Sequence, residues 1–177
     1  MSQAVYSGPT ALILIDIQDF YFPGGRLQLT GAEDAEKKAV ALLSWCRDHN
    51  FIIVHVMHKG GGDIRKSLAP GQGEKLIVKS EINSFKGTDL ADFLHEKAVK
   101  KLVLAGMQTN MCLEAATRAA SDLGFSCTVI HDACAARDLE FNGTIVKAKD
   151  VHLASLVTLK TYALIQSLEE FTGNNHE

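Results

Sequence analysis

No apolar run in this sequence approaches the ~18 residues that a membrane-spanning helix requires, so a transmembrane protein is not expected. No long basic run occurs either. The 18 basic and 21 acidic residues are mixed along the chain and leave a net charge of −3. An electrostatic footprint for nucleic acid is therefore missing. The opening MSQAVYSGPT lacks the basic-then-apolar layout of a signal peptide, which points to the cytoplasm. The four cysteines, Cys46, Cys112, Cys127 and Cys134, contain no CxxC pair. That spacing argues against a zinc or redox site, and in a reducing compartment all four are expected to be free thiols. Internal repeats and low-complexity segments are absent as well.

What is present is an alternation of short apolar runs and helical periods. The length of 177 residues suits one domain, 1–177, with a sizeable core. ALILI (11–15) is continuously apolar and ends at Asp16, as a strand buried on both faces does. A helix is predicted over 32–50, with Ala39, Leu42, Leu43 and Cys46 near helical spacing. Strands are predicted at 51–57, 75–79, 100–106 and 125–133. Helices are predicted at 88–97, with Thr88 as N-cap, and at 110–124, with Thr109 as N-cap and Gly124 just past the end. A helix follows at 143–160, and 161–171 is either a strand or more helix. Alternating strands and helices imply a parallel sheet covered on both faces. Ligands in such sheets bind beyond the carboxyl ends of the strands, so the chemistry belongs there. The irregular stretch 58–74 is long enough to be a functional loop, or else a flexible insertion.

Three residues at or just past strand ends could carry chemistry. Asp16 ends the first strand and Lys79 the third. Each needs a partner or water, and they could satisfy each other. Cys112 falls in the first turn of a helix. A helix N-terminus and a nearby lysine both favour the thiolate, and the free N–H groups of that turn could bind a developing oxyanion. The residues alone leave a second reading equally open, in which Cys112 is a small apolar side chain pointing inward.

The segments LILIDIQDFYF, LIVKSEINSF and LAGMQTNMCLEAATRAASDLGF together resemble the isochorismatase-like cysteine hydrolases, in that family's order, over roughly 10–167. The resemblance implies a Rossmann-like, three-layer α/β/α fold. Its six-stranded parallel sheet would have the order 3-2-1-4-5-6, with 161–166 as the last strand. It implies an Asp–Lys–Cys triad of Asp16, Lys79 and Cys112, and a non-proline cis peptide at Met107–Gln108. The Gln108 and Cys112 N–H groups would then form an oxyanion hole. Cys112 would attack as the nucleophile, Asp16 would shuttle the proton and Lys79 would stabilise the charges. His58 falls near the substrate pocket, with Phe20, Phe22, Phe85 and Thr109 as further candidate lining residues.

Nicotinamidases within the family hold a metal with an Asp-x-His element and further histidines. Here MHKGGGDIRKS offers Asp63 and no second nearby histidine, so neither a metal nor any other cofactor is expected. His55 and His58, three apart on a strand, face opposite sides. The remaining candidates read as structural: Trp45 in packing, His131–Asp132 in a hydrogen bond, Cys46, Cys127 and Cys134 as packed thiols, and Glu114 and Arg118 on a solvated or interface face. The expected reaction is cleavage of a C–N bond in a small amide or ureide through a Cys112 thioester. A vinyl ether hydrolase of the isochorismatase type and a non-catalytic small-molecule-binding homologue are the alternatives. The expected partner is a small molecule, with neither nucleic acid nor membrane. The resemblance further implies a homo-oligomer, dimer or larger.

Overall fold

The computed structural model describes residues 8–173. β1 (Thr10–Ile15), β2 (Ile52–His58), β3 (Lys75–Lys79), β4 (Lys101–Met107), β5 (Ser126–Ala135) and a late strand β8 (Ala163–Gln166) form one sheet of order β3-β2-β1-β4-β5-β8. All five pairings in it are parallel. Among the described residues no helix is long and apolar enough to cross a membrane.

Every residue of the central strand β1 is buried, and its period of two feeds two cores. Leu12 and Leu14 pack with α1 (Ala32–Asp48) through Ala35, Ala39, Leu42, Leu43 and Cys46. Ala11, Ile13 and Ile15 pack on the other face with Leu90 and Leu94 of α2 (Leu90–Glu96) and Ala116 and Ala120 of α3 (Glu114–Asp122). The three-layer architecture follows from that division.

Several local expectations need correction. Asp89, rather than Thr88, occupies the N-cap of α2, although the Thr88 hydroxyl still accepts the Leu90 N–H at 3.4 Å. The helix expected from residue 110 opens instead as a π-helical turn, Thr109–Leu113, before α3. Residues 143–147 are not helical. An antiparallel hairpin, β6 (Leu139–Phe141) with β7 (Thr144–Val146), precedes α4 (Ala148–Leu159). Its tip is Asn142–Gly143, both at positive φ (50° and 78°), the pairing that a two-residue hairpin turn demands. Residues 161–171 supply both β8 and a short α5 (Leu168–Thr172), which begins in a Ser167–Glu170 capping box.

The 58–74 stretch is tied down rather than loose. Gln18, fully buried, donates to the carbonyls of His58 (3.1 Å) and Gly62 (2.7 Å) and accepts the His58 N–H (2.7 Å). Arg65 reaches both Asp19 and Glu36. Glu74 binds Arg47 and His55.

Candidate active site

The carboxyl ends of β1, β3 and β4 meet above the centre of the sheet. Ile15, Val56 and Ile77 share one row of the register. Lys79 therefore stands two residues beyond that row, two strands away from β1. Its side chain crosses the end of β2 to reach Asp16. The backbone at Asp16 helps from the other side. It adopts a left-handed conformation (φ 51°), with its N–H held by the Val56 carbonyl at 2.9 Å. Lys79 Nζ ends 2.7 Å from Asp16 Oδ2, 3.3 Å from Cys112 Sγ and 3.1 Å from the Glu81 carbonyl. All three side chains are buried.

β4 must approach β1 closely to deliver Cys112. A Cβ on Gly106 would lie 2.0 Å from the Ile15 carbonyl oxygen, and φ there is 136°, so only glycine fits. The β4–β5 register shifts at the same place. The peptide Met107–Gln108 is cis, and the π turn carrying Cys112 follows.

Burial decides the resting protonation. The Cys112 thiol is pushed up to about 12, first by desolvation and then by the Asp16 charge, with Lys79 pulling the other way. The expectation of a thiolate favoured by the nearby lysine is thereby corrected, because withdrawal from water outweighs the Lys79 charge. Burial likewise raises Asp16, while Lys79, Cys112 and His58 oppose the rise. The resting site holds a thiol beside an aspartate of enhanced proton affinity.

Other candidates fall in different places. Thr109 does not cap the helix. Its hydroxyl meets His152 Nδ1 of α4 at 2.8 Å, and the residue is fully buried. Phe22 is buried, with the Arg65 guanidinium 4.3 Å from its ring centre. Phe20 and Phe22 line a surface cleft of about 630 Å³ with Gly60, Gly61, Arg26 and Arg65. Asp16, Lys79 and Cys112 are not among its walls. Phe85 turns away from the site and faces Phe125, which precedes β5 at the opposite end of the sheet, with ring centres 6.3 Å apart. His58 is half-exposed, with Nδ1 at 3.0 Å from the Lys59 carbonyl, and its charge acts on Asp16. Asp132 accepts the Leu168 N–H and pairs with Lys38, a structural role. Trp45 stacks on His49 and meets Phe51 and Phe171 edge-on.

One residue escaped the sequence reading. Tyr21 is buried between the two phenylalanines of the DFYF stretch. Its phenol is held far above the ordinary range by burial first and then by the neighbouring Cys112, and a hydrogen bond with Gln108 opposes that rise. A tyrosine hydroxyl thus joins the cluster. Its only sequence signal was a polar handle inside an aromatic run.

Residues 10–161 match the isochorismatase domain. An uncharacterized isochorismatase family protein of Bacillus subtilis is 39% identical over 176 residues, spanning 92% of this chain and 98% of that one. A maleamate amidohydrolase of Pseudomonas putida is 30% identical over 149 residues, covering 69% of this chain and 70% of its own. A solved structure from Oleispira antarctica, described as a presumed isochorismatase hydrolase, superposes with a TM-score of 0.90 at 41% identity. It covers 98% of this chain and 99% of that one.

Proposed function

The chain belongs to the isochorismatase family and is a hydrolase, and from that premise we propose that it cleaves a C–N bond in a small amide or ureide through a thioester on Cys112. The observation that carries this reading is the single buried ammonium of Lys79, set 2.7 Å from the Asp16 carboxylate and 3.3 Å from the Cys112 sulfur.

In this scheme Cys112 Sγ attacks the carbonyl carbon as its proton passes to Asp16. The raised proton affinity of Asp16 suits it to that task. Lys79 stays beside the sulfur and offsets its developing charge. The Gln108 and Cys112 N–H groups receive the oxyanion. Asp16 returns the proton to the leaving nitrogen as the C–N bond breaks. Water then attacks the thioester with Asp16 as base, releasing the acid and restoring the thiol. The relative named as an amidohydrolase supports a carbon–nitrogen substrate.

The test is ammonia or amine release from a panel of amides and ureides, with mass spectrometry for an acyl adduct on Cys112. Wild type releases amine and accumulates the adduct, while Cys112→Ala does neither. Equal release by both proteins overturns the assignment.

A further inference from the structure

Helix α4 is apolar on two sides. Val151, Leu156 and Leu159 turn inward and are buried, whereas Leu153 and Val157, one turn apart, stay 55% and 58% exposed. A helix that meets the core on one side ordinarily shows polar residues on the other. Here the outward apolar stripe borders a pocket of about 330 Å³, whose apolar walls are Leu153, Leu156, Val157 and Ile165 of β8. That size falls within the range of small-molecule sites. Asp16, Lys79 and Cys112 are not among its walls.

No carboxylate lines this pocket. Its polar residues are Lys149, Lys160, His131 and His152. Both lysines are exposed, and among the described residues neither has a carboxylate within ion-pairing distance. The acids nearby are committed. Glu170, which the His131 charge reaches, is held in the α5 capping box, and Asp132 receives the Leu168 N–H and Lys38. The chain as a whole is acidic, at −3, so this cationic rim is a local departure that favours an anion.

The fold gathers three of the four groups at one end. β8 is parallel to β5, so α4 starts beyond the carboxyl end of β5 and runs back down the sheet. Lys149 and His152, in its first turns, lie at the same end as His131. That residue is one past the last β5–β8 row, Ile130 with Gln166. His152 meets Thr109 through Nδ1. A neutral ring that accepts the Thr109 hydroxyl there carries its proton on Nε2, which leaves a donor for a ligand. Burial lowers the His152 pKa and the His131 charge adds to this, a repulsion that an anion between the rings offsets.

We propose that this pocket binds a medium-chain fatty acid, with its carboxylate at Lys149, His131 and His152 and its chain along Leu153, Leu156 and Val157. Charge complementarity selects the head group, and the apolar stripe selects the chain. The helix extends ~12 Å from Lys149 to Val157, which is more than a two-carbon acid covers. Because His152 also holds Thr109 of the Cys112 turn, an occupied pocket steadies that turn. The site does not rest on the amidase reading above.

Titration calorimetry with octanoate and 1-octanol tests the site. Octanoate is expected to bind wild type at least about tenfold more tightly, since only it brings a charge to the lysine. Lys149→Gln removes that margin, and Leu153→Asp abolishes binding by setting a carboxylate against the ligand's own. Both side chains are exposed, so each variant should melt as wild type does, and Val157→Asp serves in place of Leu153→Asp if that protein melts early. Absence of octanoate binding overturns the proposal, as does equal affinity for octanoate and octanol. Octanoate binding that survives both Leu153→Asp and Val157→Asp overturns it too. Sedimentation velocity covers the rival occupant. A wild-type dimer that Leu153→Asp separates, with octanoate bound by neither protein, assigns the face to a second copy and rejects the fatty acid. Alkylation of Cys112 by iodoacetamide reads the link to the turn. A buried thiol reacts through local opening, so saturating octanoate should slow the rate at least about twofold in wild type and leave Leu153→Asp unaffected. Bound octanoate with an unchanged rate overturns that link.

Discussion

Lys79 Nζ lies 2.7 Å from Asp16 Oδ2, and neither side chain reaches solvent. The two residues come from strands that are not neighbours, so the contact bridges the end of β2. Removing one member leaves the other as an uncompensated buried charge, which costs about 3–5 kcal/mol. Lys79→Met is expected to lose that much stability in urea denaturation. The double variant Asp16→Asn/Lys79→Met should recover most of it, though not activity. Wild-type stability in Lys79→Met would show that the pair is not desolvated.

The raised thiol gives a pH signature. Cys112 is held at about 12, so its alkylation by iodoacetamide should climb about tenfold per pH unit from 7 to 10 without a plateau. In the proposed mechanism turnover behaves differently, because Asp16 must be ionised to accept the proton. Its raised affinity places the acid limb of kcat/KM above the ordinary aspartate range. A plateau in alkylation below pH 9 would contradict the burial argument.

Glu74 supplies an acid-sensitive clamp on the 58–74 stretch. Hydrogen bonds from Arg47 lead the causes that hold its carboxyl at about 2, against an ordinary 4.5. A depressed carboxylate stabilises the fold above its unfolded value, and that contribution disappears as pH falls from about 4.5 to 2. Because Arg47 is 40% exposed, solvent screening limits the contribution to about 1–2 kcal/mol. Glu74→Gln should be less stable than wild type at pH 7 by that amount. The two proteins should converge near pH 2 in thermal melts.

The Thr109–His152 bond ties the Cys112 turn to α4. Thr109→Val keeps the shape and leaves a His152 nitrogen without its partner, a loss of about 1–3 kcal/mol. If the bond orients the turn, kcat should fall while KM for a small amide changes little. A stability loss with unchanged kcat would leave the bond with a purely structural role.

The parallel strands were legible because continuous apolar runs bounded by glycine or charge are a local signal. Asp16 and Lys79 stood out as charges closing such runs. The thiol state was not legible. A helix-terminus effect can be inferred from neighbours in sequence, but desolvation depends on how two helical layers close over the sheet. The Thr109–His152 contact joins residues 43 apart, beyond any local pattern. The β6–β7 hairpin was written plainly in Asn142–Gly143 and was masked by the helical period that begins just after it.

The buried trio has one further consequence, in its charge inventory. In the proposed mechanism Asp16 starts negative, Lys79 positive and Cys112 neutral, which sums to zero. Moving a proton from Cys112 to Asp16 exchanges which of the two is negative and leaves the sum at zero. Arming the nucleophile therefore adds no net charge to the interior, and dissolved salt has little hold on that step. The ionic-strength dependence of the whole reaction should accordingly come from substrate binding and not from bond breaking.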